Sequence, residues 1–266
     1  MKKVFVNIAA ILLVFIFSNC SEDKVPFVVK TPTNTSPTLA VNTTSNTMPP
    51  SVEVNLPMQL NYLALGDSYT IGQSVCETCR FPEQLRKRLE DLNPKNTYTS
   101  KIIARTGWTT TDLISAINSE KPPSNYDLVS LLIGVNNQFQ NKPFSVYEKE
   151  FPELIFKAIS LARGDRSNVI VVSIPDYAYT PFGSQSSNPS KISSEIDSYN
   201  AFSRKYCIEQ KIEFISITEI TRQGFVNPLL VAQDRLHPSD LAYSYFVDRI
   251  ISKASLAIHN WSWGRI

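Results

Sequence analysis

Asn61-Tyr62-Leu63-Ala64-Leu65-Gly66-Asp67-Ser68-Tyr69-Thr70 is the stretch on which the reading of this chain turns. An apolar run with strand character stops abruptly at Gly66-Asp67-Ser68, near the start of the globular part of the sequence. In an α/β sheet, ligands bind at the carboxyl ends of strands, so a serine there stands where chemistry takes place. Glycine permits close backbone approach, and a turn after a strand leaves the following N–H groups free to face a ligand. A nucleophile and part of an oxyanion hole can be built together in this way. Taken alone, Gly-Asp-Ser is equally an ordinary turn tripeptide. The rest of the chain decides between the two.

Working outward, continuous apolar runs at 62–65, 99–104, 128–133, 169–174 and 214–217 have the Val, Ile and Leu content of strands buried on both faces of a parallel sheet. Helical patterns lie between them. Pro82 opens a segment over 83–92 with Leu85, Leu89 and Leu92 at helical spacing, and Thr110 or Thr111 is placed to cap the next, which carries Leu113, Ile114 and Ile117. Longer helices are expected over 147–163, 192–210 and 239–257. Five β-α units in series predict an α/β fold, a three-layer α/β/α sandwich with a five-stranded parallel sheet of flavodoxin-like type.

The other strand ends also hold chemistry. Arg105-Thr106-Gly107-Trp108 follows the second strand, Gly134-Val135-Asn136-Asn137 the third, and Asp234-Arg235-Leu236-His237-Pro238 precedes the last helix. The chain has 2 histidines, so a general base is chosen almost by elimination. His259 has no carboxylate near it in sequence. His237 has Asp234 three residues earlier on a loop stiffened by Pro238, and a carboxylate that accepts the Nδ1 proton fixes an imidazole for base catalysis. Of 8 glycines, Gly66, Gly107 and Gly134 fall at these turns.

Together these four pieces resemble the SGNH hydrolases, also called the GDSL esterase/lipase family, over about residues 60–258. The resemblance implies that Ser68 is the nucleophile, His237 the base and Asp234 the acid. It also implies an oxyanion hole made by the Ser68 and Gly107 N–H groups and the Asn136 side chain. Residues 173–177 and 180–183 resemble a linking stretch of secreted members. One position departs from the pattern: the third block usually reads Gly-x-Asn-Asp, and Asn137 stands where the aspartate would be. The implied activity is hydrolysis of small or short-chain acyl esters, including O-acetyl groups on carbohydrate, with no cofactor and no metal. An acyltransferase on the same site and a non-catalytic surface binding lipoprotein on a hydrolase fold are the alternatives. Tyr69, Trp108 and Phe139 adjoin the motifs and are candidates to line the substrate pocket.

The ends read differently. Met1-Lys2-Lys3, an apolar run over 4–17 and then Cys20 read as a secretory signal ending in a lipobox-like cysteine. Cys20 is thus the expected lipidation site, which would make the protein an exported, membrane-anchored lipoprotein, periplasmic or at the cell surface. A plain signal peptide is the other reading. Residues 21–57, rich in Thr, Pro, Asn and Ser, read as an extended tether; 58–258 form the hydrolase domain and 259–266 a tail. Cys76-Glu77-Thr78-Cys79 is expected to form a short structural disulfide. With 26 Lys and Arg against 24 Asp and Glu, scattered along the chain, nothing suggests a nucleic-acid surface.

Overall fold

A computed structural model describes residues 57–262, with side chains placed as far as Ile258. The expected signal segment, Cys20 and the tether up to residue 56 lie outside the described residues. In chain order the elements are β1 (Gln59–Gly66), α1 (Ser68–Ile71), α2 (Phe81–Leu92), β2 (Thr97–Ala104), α3 (Thr110–Glu120), β3 (Leu128–Leu132) and α4 (Val135–Phe139). They continue as α5 (Phe144–Leu161), β4 (Val169–Val172), α6 (Pro189–Gln210), β5 (Glu213–Ile215), α7 (Thr218–Thr221) and α8 (Asp240–Ser262).

The five strands form one parallel sheet in the order β2-β1-β3-β4-β5. Helices cover it in two groups: α2 packs with α8, and α5 packs with α3 and α6. This is the expected α/β/α sandwich. Register is what makes the site. Gly66 pairs with Ala104 of β2 and with Leu132 of β3, so the three strands end level. The chain leaves β1 between neighbours on both sides, where the strand order reverses and the loops part to leave a crevice.

Burial explains why the apolar runs became strands. Leu63, Leu65, Val129 and Leu131 are fully buried, each worth roughly 1.5–3 kcal/mol of transfer free energy. An aromatic cluster joins α5 to α6: Tyr147 and Tyr199 have ring centroids 4.6 Å apart, and Phe144 meets Tyr199 edge-on at 4.8 Å. Such pairs add about 0.5–1.5 kcal/mol beyond area burial.

Element ends differ from expectation in instructive ways. The third helix is capped by Thr109, not by Thr110 or Thr111. Its side chain accepts the Asp112 N–H while the Asp112 carboxylate accepts the Thr109 N–H, a reciprocal capping box. Only Thr109 has a carboxylate three residues on. The helices expected to begin at 147 and 192 start at Phe144 and Pro189, because Asn188 caps α6 by accepting the Lys191 N–H. The run over 214–217 gives only β5, since Ile217 turns to open α7. The last helix runs on through Ser262, past the expected end at 257.

Candidate active site

Gly66 is required by packing. A Cβ there would lie 2.1 Å from Thr70 Oγ1 and 2.4 Å from the Leu132 carbonyl, so no other residue lets α1 fold back against the strand end. Asp67 caps α1, with Oδ1 accepting the Tyr69 N–H at 3.0 Å. Ser68 is therefore the first residue of the helix, and its own N–H has no acceptor among the described residues. Asp67 is wholly buried. Burial pushes its carboxyl up to about 7, against the opposing pull of the Tyr69 N–H and the Asn136 amide. That amide closes no hydrogen bond to Oδ2, which is buried without a partner.

Gly107 has φ +84, and a Cβ there would meet nothing within 4 Å; backbone conformation, not space, calls for glycine. Its loop is held by α4: Asn136 Nδ2 donates to the Trp108 carbonyl at 3.0 Å and Gln140 Nε2 to the Gly107 carbonyl at 2.8 Å. One hydrogen of the Asn136 amide is thereby used, and the amide as a whole also bears on the Asp67 carboxyl. Asn137 is fully buried and anchors the same loop, with Oδ1 accepting the Thr110 N–H at 3.0 Å and Nδ2 donating to Thr110 Oγ1 at 2.7 Å.

Asp234 and His237 meet within one tight loop. His237 Nδ1 lies 2.6 Å from Asp234 Oδ2, while Asp234 Oδ1 accepts the N–H groups of Leu236 and His237, both at 2.9 Å. A backbone bridge between Val231 and Pro238 closes the loop, and the Ala232 N–H donates to the His237 carbonyl at 2.8 Å. Partial burial raises the Asp234 carboxyl, but the Ser74 hydroxyl, the two N–H groups and the imidazole outweigh it and hold the group down at about 2. An ionised carboxylate only accepts, so Nδ1 donates to Oδ2 and Nε2 is left outside that contact.

The Tyr69 ring lies 5.1 Å from that of His237, which brings the Ser68 turn against the Asp–His loop. No hydrogen bond joins Ser68 Oγ to His237 among the described residues; such contacts often tighten only with substrate bound. Of the expected pocket residues, Tyr69 is buried beside His237, Trp108 is half-buried and holds Asn136 through its carbonyl, and Phe139 is exposed. Cys76 and Cys79 are joined, and Cys207 is a buried free thiol.

Five contributors were given no role in the motif reading. Phe182 and Tyr177 pack against Phe139 at 6.2 and 5.7 Å, and Ser74 donates to Asp234 Oδ2 at 2.6 Å. Gln138 bridges the Tyr177 hydroxyl and Glu195, at 2.9 and 2.8 Å. Tyr177 and Phe182 fall in the two stretches singled out at 173–177 and 180–183; Ser74 and Glu195 carry no local signal. Among the described residues, no group of three or more His, Cys, Asp or Glu could hold a metal ion.

The sheet order and strand-end loops are those of an SGNH-type hydrolase. The model of the GDSL-like lipase/acylhydrolase family matches residues 64–245, and the chain belongs to that family of carboxylic ester hydrolases. Solved structures of the same fold include a G-D-S-L family lipolytic protein from Veillonella parvula, at 17% identity and TM-score 0.56, covering 73% of this chain and 97% of its own. The acetyl xylan esterase Axe2 of Geobacillus stearothermophilus matches at 17% identity and TM-score 0.56, covering 75% and 95%. A lipase/acylhydrolase from Enterococcus faecalis matches at 18% and TM-score 0.56, covering 74% and 95%. Comparison with curated proteins returned no match.

Proposed function

We propose that the protein is a serine esterase that removes a small acyl group from a hydroxylated, carbohydrate-like alcohol. The observation that carries the catalytic part is the 2.6 Å contact between Asp234 and His237 Nδ1, on a loop packed against the turn that presents Ser68. His237 Nε2 takes the Ser68 proton as Oγ adds to the ester carbonyl, and Asp234 stabilises the imidazolium. The carbonyl oxygen becomes an oxyanion facing the Ser68 and Gly107 N–H groups and the second hydrogen of the Asn136 amide. Collapse expels the alcohol, which takes the proton from His237. Water then repeats the sequence on the acyl-serine, releasing the acid and restoring Ser68.

Two spaces support the choice of substrate. Beside His237, a cleft bounded by Tyr69, Tyr177, Leu230 and Leu236 holds only about 10 Å³, about the space of one water, which leaves no room for an extended acyl chain. An open groove of about 520 Å³ shares Tyr177 with that cleft. Phe139 stands one helical turn beyond Asn136, and the Phe182 N–H donates to the Arg235 carbonyl at 3.0 Å, so the aromatic pair spans from the amide to the base loop. Past it the groove is lined by Gln185, Asn188, Lys191 and Glu195. Aromatic faces beside fixed amide and carboxylate groups suit the C–H face and hydroxyls of a sugar; a long acyl chain would find no continuous apolar wall. That a neighbour of the same fold is an acetyl xylan esterase agrees with this pairing.

The test uses two substrates. Wild type should hydrolyse p-nitrophenyl acetate and acetylated xylo-oligosaccharides, and Ser68→Ala neither; equal turnover by both proteins would sink the catalytic reading. Phe182→Ala and Glu195→Gln should raise KM severalfold for the acetylated sugar and leave p-nitrophenyl acetate unchanged. An equal effect on both substrates, or none, removes the carbohydrate assignment.

A further inference from the structure

The loop that leaves α1 touches two other arms of the site with consecutive side chains. Gln73 Oε1 accepts the Thr106 hydroxyl at 2.7 Å, one residue before Gly107. Ser74 donates its hydroxyl to Asp234 Oδ2 at 2.6 Å, across 160 residues of sequence. Ser74 does so from φ +69, a left-handed conformation that glycine adopts freely and serine does not. A residue kept in that region is held by its surroundings, and such outliers gather where a side chain must be aimed.

The surroundings are on hand. The N–H groups of Gly72 and Gln73 both donate to the Ser68 carbonyl, at 3.1 and 3.0 Å, so the loop springs from the nucleophile's own backbone. Val75 N–H donates to the Gly72 carbonyl at 3.2 Å, and the Cys76–Cys79 disulfide then closes the following turn. Gln84 Nε2 donates to the Cys79 carbonyl and, at 3.1 Å, to the Asp240 carbonyl, three residues past His237. The loop is thus tied at one end to Ser68 and at the other to the start of α8.

We infer that this disulfide-closed loop is a clip for the catalytic acid: Ser74 is a positioning residue that holds Asp234 in line with His237, and the Cys76–Cys79 bond holds Ser74 in place. The inference rests on the Ser68–His237–Asp234 reading. Asp234 Oδ1 is fully engaged by two N–H groups, and Oδ2 is shared by the imidazole and the Ser74 hydroxyl. The Asp234 side chain is 28% exposed, so without Ser74 the outer side of Oδ2 faces water and the carboxylate can swing off the imidazole axis.

Ser74→Gly separates aiming from folding, because glycine adopts φ +69 without strain. On p-nitrophenyl acetate its kcat should fall about tenfold, the size of losing one hydrogen bond to a charged group. KM and the melting temperature should hold. The acid limb of kcat/KM should move to higher pH, since Asp234 loses a hydroxyl that helps keep its carboxyl down. Replacing both Cys76 and Cys79 by Ser should lower kcat severalfold in the wild-type background and add nothing to Ser74→Gly. Unaltered kcat and acid limb in Ser74→Gly overturn the inference, as does a disulfide effect equal in both backgrounds. Ser68→Ala in the same assay separates the layers: if it is inactive while Ser74→Gly is unimpaired, only the clip fails; if it is active, the reading beneath fails.

Discussion

Asn137 is where the chain departs from the usual Gly-x-Asn-Asp block, and the structure supplies a reason that can be measured. Its amide both accepts, from the Thr110 N–H at 3.0 Å, and donates, to Thr110 Oγ1 at 2.7 Å. The Thr110 hydroxyl has one proton, and that proton goes to Glu150 Oε2. Restoring the family residue with Asn137→Asp keeps the N–H contact but sets a second carboxylate against the same hydroxyl. One buried carboxylate oxygen is then left without a donor. An unsatisfied buried acceptor costs about 1–3 kcal/mol and a charged one more, so a loss of roughly 2–4 kcal/mol is expected. Urea unfolding at about pH 7.5 measures it. In Glu150→Gln the new amide can donate to Thr110 Oγ1 and free the Thr110 proton for the carboxylate introduced by Asn137→Asp. The double variant should therefore recover roughly 1 kcal/mol or more of that loss. Glu150→Gln alone should change stability little, since Glu150 also takes the Thr111 hydroxyl at 2.8 Å and is only half-buried. An Asn137→Asp protein within about 0.5 kcal/mol of wild type, or no rescue by Glu150→Gln, would refute the reasoning.

Asp67 gives a pH-dependent counterpart. Its folded-state carboxyl is raised to about 7 from an ordinary 3.8, so its contribution to stability is complete below about pH 4 and is lost as pH rises through 7. Asp67→Asn cannot ionise, and between about pH 4 and 7.5 its urea midpoint should gain on wild type by an amount on the order of 4 kcal/mol in stability; parallel pH profiles for the two proteins would contradict this. Asn136→Ala should lower kcat on p-nitrophenyl acetate by about 10²–10³ with KM little changed. Labelling of Ser68 by a fluorophosphonate should persist, and a fall in kcat below about threefold would remove Asn136 from the oxyanion hole.

The parts legible in the sequence share a property: their physics is local. The inner strands β1, β3 and β4 are buried almost throughout and so read as apolar runs, whereas the edge strands β2 and β5 keep half-exposed residues and were visible from shorter apolar stretches; the ends of all five moved by only a few residues. Asp234 and His237 are three residues apart, close enough for one loop to bring them together. The Thr109–Asp112 capping box was equally local and available, but three successive threonines hid which one had the matching carboxylate.

The sequence by itself determined the strand runs, the Gly66-Asp67-Ser68 turn, the Asp-x-x-His pair and, through their order, the family. Tertiary structure decided what surrounds them. Asn137 reaches Thr110 because β2, β1 and β3 end level, while Ser74 reaches Asp234 and Phe182 reaches Phe139 because the parallel order β2-β1-β3-β4-β5 gathers the loops after all five strands at one edge of the sheet. Such contacts depend on register and strand order. Those follow from how the whole core packs, and no single segment carries them.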